Sequence, residues 1–130
     1  MIVLDTSVLI DGLTGSKRSA AAIRGSLAEG EQILLTTLVL YEWLRGPRLS
    51  EELAAQEALF PASKAIPFGP IEATISADLY RAVARPRSRE IDLGIAACAI
   101  VREAQLWTLN RDDFRDVPGI QLYGLPKSRK

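Results

Sequence analysis

The sequence predicts a three-layer α/β domain built on a central, mostly parallel sheet. Short apolar runs of strand length supply the first observation: Ile2-Val3-Leu4, Ile33-Leu34-Leu35 and Leu106-Trp107-Thr108-Leu109. They are too short for helices and read as strands buried on both faces. The second observation is that helix-length segments separate them, so the connections are crossovers, which join parallel strands. The third is that polar groups follow two of these runs directly: Asp5 after the first, and Asn110, Asp112 and Asp113 after the last. In open α/β sheets the carboxyl edge of the strands is where ligands bind.

Each element has a local reason. Ile2–Leu4 is the first strand, and Thr6 or Ser7 can cap a helix through Val8, Leu9 and Ile10. Asp5 could itself be no more than that helix's cap. Gly12 and Gly15 break the pattern, and Ser16 to Glu29 reads as a second helix ended by Gly30. After the strand 33–36, Thr36 or Thr37 can cap a third helix, which Gly46-Pro47 stops. Ser50 to about Leu59 is a fourth helix with Leu53 and Leu59 on its apolar side, and Pro61 ends it. Ala65–Phe68 is a weak strand, which Pro67 confines to an edge or a strand end. Pro70 opens a helix to about Ala84, with Ile75, Leu79 and Val83 spaced by four. Arg85 to Arg89 is a basic irregular loop, and Glu90 to Glu103 a strongly apolar helix. The strand 105–109 follows, then the 110–113 turn, then a last strand over Ile120–Tyr123. The basic tail 126–130 is expected to fray. Nothing divides the chain, so residues 1–130 read as a single domain.

The chain has 130 residues, 48% of them hydrophobic, which suffices for one core. Lysine plus arginine numbers 16 and aspartate plus glutamate 16, so the net charge is zero. That argues against nucleic-acid binding driven by total charge, but not against a local basic patch. Twelve of the cations are arginine, a residue suited to bidentate phosphate contacts. The single cysteine, Cys98, lies among alanines and reads as a small core residue in a reducing, cytoplasmic setting. No apolar run is long enough to span a membrane. There is no histidine. This removes histidine-based acid–base catalysis, the serine and cysteine triads, and any histidine-ligated zinc site.

Three carboxylates stand where the pattern calls for apolar residues. Asp5 ends a buried strand. Glu42 shares a helix face with Leu38 and Val39. Asp92 shares one with Ile95, Ala96 and Ala99. An ionised carboxylate on a core-directed face costs several kcal/mol, ~3–5, unless it is paired or ligates a metal. Salt bridges such as Glu42 to Arg45 or Asp92 to Arg89 are the structural alternative. Asn110, Asp112 and Asp113 fall at the same edge as Asp5 if the two strands are parallel. Asp112 reads best as a turn residue. Carboxylates gathered this way repel one another, and Mg²⁺ or Mn²⁺ would turn that repulsion into binding energy without needing histidine. Such a metal can acidify a bound water and stabilise charge on a phosphoryl group.

These residues resemble the PIN-domain ribonucleases, specifically the small VapC-type toxins of toxin–antitoxin pairs. The matching stretches are Ile2 to Ile10, Glu42 in the third helix, Asp92-Leu-Gly-Ile-Ala-Ala97 and Thr108-Leu-Asn110-Arg-Asp-Asp113-Phe114. The resemblance implies a parallel sheet flanked by helices and a Mg²⁺- or Mn²⁺-dependent endoribonuclease site. It makes Asp5, Glu42, Asp92 and Asp113 the catalytic acids, with Asp5 and Asp92 on the metal. Asn110 stands where some relatives carry an acid, so the fourth position is Asn110 or Asp113. Thr6, Thr108 and Asn110 resemble substrate-positioning groups. Arg85, Arg87, Arg89 and Arg111 are candidate RNA-phosphate contacts, against the simpler reading of the 85–89 segment as a solvated turn. The resemblance also implies a homodimer and a cognate VapB-type antitoxin that blocks the site, in heterotetramers or larger assemblies. Two other readings compete: a catalytically degenerate PIN scaffold, which the missing acid at 110 favours, and a receiver-like domain, which lacks a lysine after a late strand.

Overall fold

A computed structural model describes residues 1–124. Strand β1 (Ile2–Leu4) lies at the centre of a parallel sheet between β2 (Ile33–Leu34) and β3 (Gln105–Trp107). Ile2, Val3 and Leu4 are fully buried, so both faces of the central strand are covered, as a run without polar alternation requires. Single parallel bridges, Thr36 to Ile66 and Leu106 to Leu122, extend the sheet at its two flanks. The weak strand expected at 65–68 and the last strand expected at 120–123 are thus reduced to one bridge each. Pro67, directly after Ile66, has no N–H to continue a ladder. The expected frayed tail, 126–130, lies outside the described residues.

Among the described residues six α-helices surround the sheet: α1 (Thr6–Leu13), α2 (Ala20–Ala28), α3 (Thr37–Arg45), α4 (Ser50–Leu59), α5 (Pro70–Ala82) and α6 (Glu90–Val101). Thr36 caps α3, its Oγ1 accepting from the Val39 N–H at 3.0 Å. Glu72 in the first turn of α5 accepts from the Gly69 N–H at 3.0 Å and from Arg102 at 2.8 Å, which ties α5 to the end of α6. Helix α6 is buried from Leu93 through Ala99, and its small residues allow close packing. A Cβ at Gly94 would meet Leu38 Cδ1 at 2.6 Å and Phe68 Cε1 at 3.2 Å, so α6 passes close to α3 just beyond Asp92.

Two expectations need correction. Helix α2 starts at Ala20, not Ser16, because Lys17 takes a positive φ of 53° that no helix continues. Asp11 organises this turn, accepting from Ser19 Oγ at 2.6 Å and Arg18 Nε at 3.2 Å. In α4, Leu53 and Leu59 are exposed and Gln56 is buried instead, its amide donating to the Phe60 carbonyl at 2.9 Å.

Candidate active site

Asp5 occupies the N-cap position of α1, yet its side chain makes no cap bond. The helix-cap reading of Asp5 therefore fails. Its carboxylate is 4% exposed and accepts two hydroxyls, both on Oδ2: Ser7 Oγ at 2.9 Å and Thr108 Oγ1 at 2.7 Å. Each hydroxyl has one proton to give and accepts a backbone N–H in return. The Leu109 N–H donates to Ser7 at 3.1 Å and the Asn110 N–H to Thr108 at 2.9 Å. The two hydroxyl oxygens also lie 3.4 Å from each other, but the Asp5 carboxylate is the nearer and charged acceptor for both protons. Among the described residues Oδ1 accepts no hydrogen bond.

Thr6 does not cap α1 either. Its hydroxyl donates to Glu42 Oε1 at 2.6 Å, linking the start of α1 to α3. Arg45 Nη2 stands 3.7 Å from Glu42 Oε2, so the salt bridge weighed from sequence exists, at long range and largely exposed. The Asp92 to Arg89 pair does not form. Arg89 instead grips Asp116 with both terminal nitrogens, at 2.9 and 2.7 Å, and donates to the carbonyls of Ala84 and Asp113. Asp92 is left without an ion-pair partner among the described residues. Burial pushes its pKa up to about 6, and the charges of Asp5, Glu42 and Asp113 push the same way, against a smaller pull from Arg89.

Asp5, Thr6, Glu42, Asp92 and Asn110 line one open cleft of about 420 Å³, together with Ser7, Arg45, Gly46 and Arg48. Asp113 is exposed on a short 3-10 turn and does not line it, although its charge reaches Asp92. Asp112 is a turn residue, exposed and paired with Arg115 at 2.9 Å. Arg85 and Arg87 are exposed in the loop before α6, and Arg111 donates weakly to the Tyr123 carbonyl at 3.4 Å. Sequence reasoning did not single out Ser7 as a site residue, nor Arg48. Ser7 had a visible signal as the second hydroxyl after Asp5.

Among the described residues no three carboxylates close on a metal position by themselves. The donor set nonetheless fits a hard divalent cation. It is all oxygen, the charges of Asp5, Glu42 and Asp113 bear on Asp92 without a cation paired to it among the described residues, and Asp5 keeps Oδ1 available. Mg²⁺ keeps several waters and takes only one or two carboxylates directly, so a spread set of acids suits it.

A PIN-domain family model matches residues 2–120. The chain belongs to the PIN-domain family. It is 35% identical to Ribonuclease VapC19 of Mycobacterium tuberculosis over 130 residues, spanning 93% of this chain and 98% of the relative. Among solved structures, DNA-bound VapBC from Salmonella typhimurium has a TM-score of 0.74 at 22% identity, covering 93% of this chain and 95% of that one. A toxin–antitoxin complex from Klebsiella pneumoniae has a TM-score of 0.71 at 24% identity, covering 92% and 95%. At such identities these structures speak for the fold. The PIN domain accounts for the parallel sheet, and the cleft lies beyond the carboxyl ends of β1 and β3.

Proposed function

We propose that this chain is a divalent-metal-dependent endoribonuclease and the toxin of a toxin–antitoxin pair. The observation that carries the reading is the convergence of Asp5, Glu42 and Asp92 from three separate elements on one cleft, in a chain without histidine. The relative at 35% identity is named a ribonuclease, which supports the same reaction class here and disfavours the degenerate scaffold. Several structural neighbours are toxin–antitoxin complexes, which supports an antitoxin as partner. A second copy of the chain belongs to the same reading. Exposed apolar side chains, Tyr41 and Leu44 on α3 and Ile71 and Tyr80 on α5, support it.

Asp5 and Asp92 would hold Mg²⁺ or Mn²⁺, which when bound supplies an acidified water and charge stabilisation at the scissile phosphate. Ser7 and Thr108 fix the Asp5 carboxylate through Oδ2 and leave Oδ1 free for the metal. Glu42, oriented by Thr6, accepts a proton from the attacking water. Asn110 lines the same cleft and offers an amide to the substrate. Asp113 contributes negative field from outside the cleft rather than contact. The test is cleavage of RNA by the purified chain with Mg²⁺ or Mn²⁺. Asp5→Asn and Asp92→Asn, each checked for an unchanged fold by circular dichroism, lose cleavage. Wild-type rates in either variant sink the assignment.

A further inference from the structure

Arg48 is the arginine that the fold fixes at this cleft. Its guanidinium lies over the Trp43 ring, with Cζ 4.2 Å from the centroid. Nε donates to the Trp43 carbonyl at 2.8 Å and Nη1 to the Pro47 carbonyl at 3.3 Å. Gly46 makes the room: a Cβ there would sit 3.0 Å from Nη2 and 3.3 Å from Cζ. Among the described residues Nη2 has no acceptor, and Arg48 pairs with no carboxylate. Arg45, the other cation of the cleft, is drawn toward Glu42, and Arg89 is consumed by Asp116. A half-buried guanidinium, aimed and unpaired at the edge of an acidic cleft, suits an anion that arrives with the substrate.

Resting on the ribonuclease reading, we propose that Arg48 is a built subsite for a backbone phosphate of the RNA, next to the phosphate that is cleaved. A strand entering a cleft of three carboxylates meets repulsion, and a fixed cation at the rim offsets it. The planar fork suits non-bridging phosphate oxygens, and stacking on Trp43 removes the ordering cost in advance. Gly46 and Trp43 are then positioning residues for Arg48. The plainer role, a clasp on the last turn of α3, uses Nε and Nη1 but not Nη2.

The experiment measures binding of a short, random-sequence, fluorescein-labelled single-stranded RNA in EDTA across a salt series. Wild type, Arg48→Ala and Arg48→Lys are compared, with thermal melts in parallel. Arg48→Ala weakens binding about tenfold and flattens the log–log salt slope by about 0.7. Arg48→Lys keeps the slope and recovers only part of the affinity, because an ammonium neither stacks nor forks. With Mn²⁺, Arg48→Ala raises KM and leaves kcat near wild type. If Arg48→Ala melts earlier but matches wild-type affinity and slope, Arg48 only clasps α3 and the subsite is overturned. Should Arg48→Ala not fold, Arg48→Gln keeps a donor for the Trp43 carbonyl without the charge and carries the same comparison. Wild type that neither binds nor cleaves RNA overturns the ribonuclease reading itself, whereas wild type that does both beside an indistinguishable Arg48→Ala overturns the subsite alone.

Discussion

Thr108 shows how a single hydroxyl organises the site. It is almost fully buried, donates to Asp5 and accepts from the Asn110 N–H. Thr108→Val keeps the shape and removes both bonds, leaving one backbone donor and one carboxylate oxygen poorly served. The expected cost is about 1–3 kcal/mol, read as a lower melting temperature, with weaker Mn²⁺ binding by calorimetry. Unchanged Mn²⁺ affinity would mean that Asp5 needs no such aiming. Asp92 gives a second test, in pH. Its pKa rises on folding from 3.8 to about 6, so the folded chain holds that proton more tightly than the unfolded one. The resulting cost to stability is absent below about 4, grows through that window and is complete above about 6. Discounted for partial exposure it is roughly 1–2 kcal/mol. In EDTA, Asp92→Asn should therefore match wild type at low pH, gain on it as pH rises from about 4 to about 6, and stay more stable by a constant amount above that. A stability difference that does not change with pH would contradict the crowding. Cys98, by contrast, is buried with its thiol pushed up to about 11, as an inert core residue should be.

At the scale of elements, the cleft depends on where α1, α3 and α6 begin and end. Thr36 is fully buried and its hydroxyl caps α3, the helix that carries Glu42. Thr36→Ala should cost about 1 kcal/mol, within a range of roughly 0.5–2, and increase hydrogen exchange in the first turn of α3. No change in exchange there would show that packing of Val39 and Trp43 holds the helix alone. These elements were legible to different degrees. Strand β1 and the Asp5 that ends it stand out because a carboxylate interrupts a run that burial would otherwise keep apolar. Helix α6 stands out because its apolar residues run all the way round. The start of α2 was not legible, since a positive φ at Lys17 leaves no mark in hydrophobic periodicity. The flanking strands shrank to single bridges because periodicity reports burial, not ladder continuity. The arginines show the same limit. Pattern alone points to the 85–89 loop, but Arg89 is spent on Asp116, a partner 27 residues away, and Arg48 is aimed by Trp43 and Gly46. Pairings of that kind exist only after the chain closes.

At the scale of the whole molecule, the fold gathers acids that would repel one another and supplies the chain with no histidine to share the work. Ser7 reaches Leu109 and Thr108 reaches Asp5 across more than 100 residues, so the site closes only when β1 and β3 lie side by side. Among the described residues no helix is long and apolar enough to cross a membrane. A metal that binds the folded chain and not the unfolded one stabilises it by mass action, about 2.7 kcal/mol at a hundredfold excess over Kd. Mn²⁺ should thus raise the wild-type melting temperature by several degrees and leave Asp5→Asn where it was. The most direct measurement is RNA cleavage by wild type, Asp5→Asn and Asp92→Asn, with Mn²⁺ and then with EDTA, alongside those melts. Cleavage is expected only from wild type and only with the metal, with a metal-induced rise in melting temperature that Asp5→Asn lacks. Cleavage that survives EDTA, or that persists at the wild-type rate in either variant, would overturn the metal-site assignment.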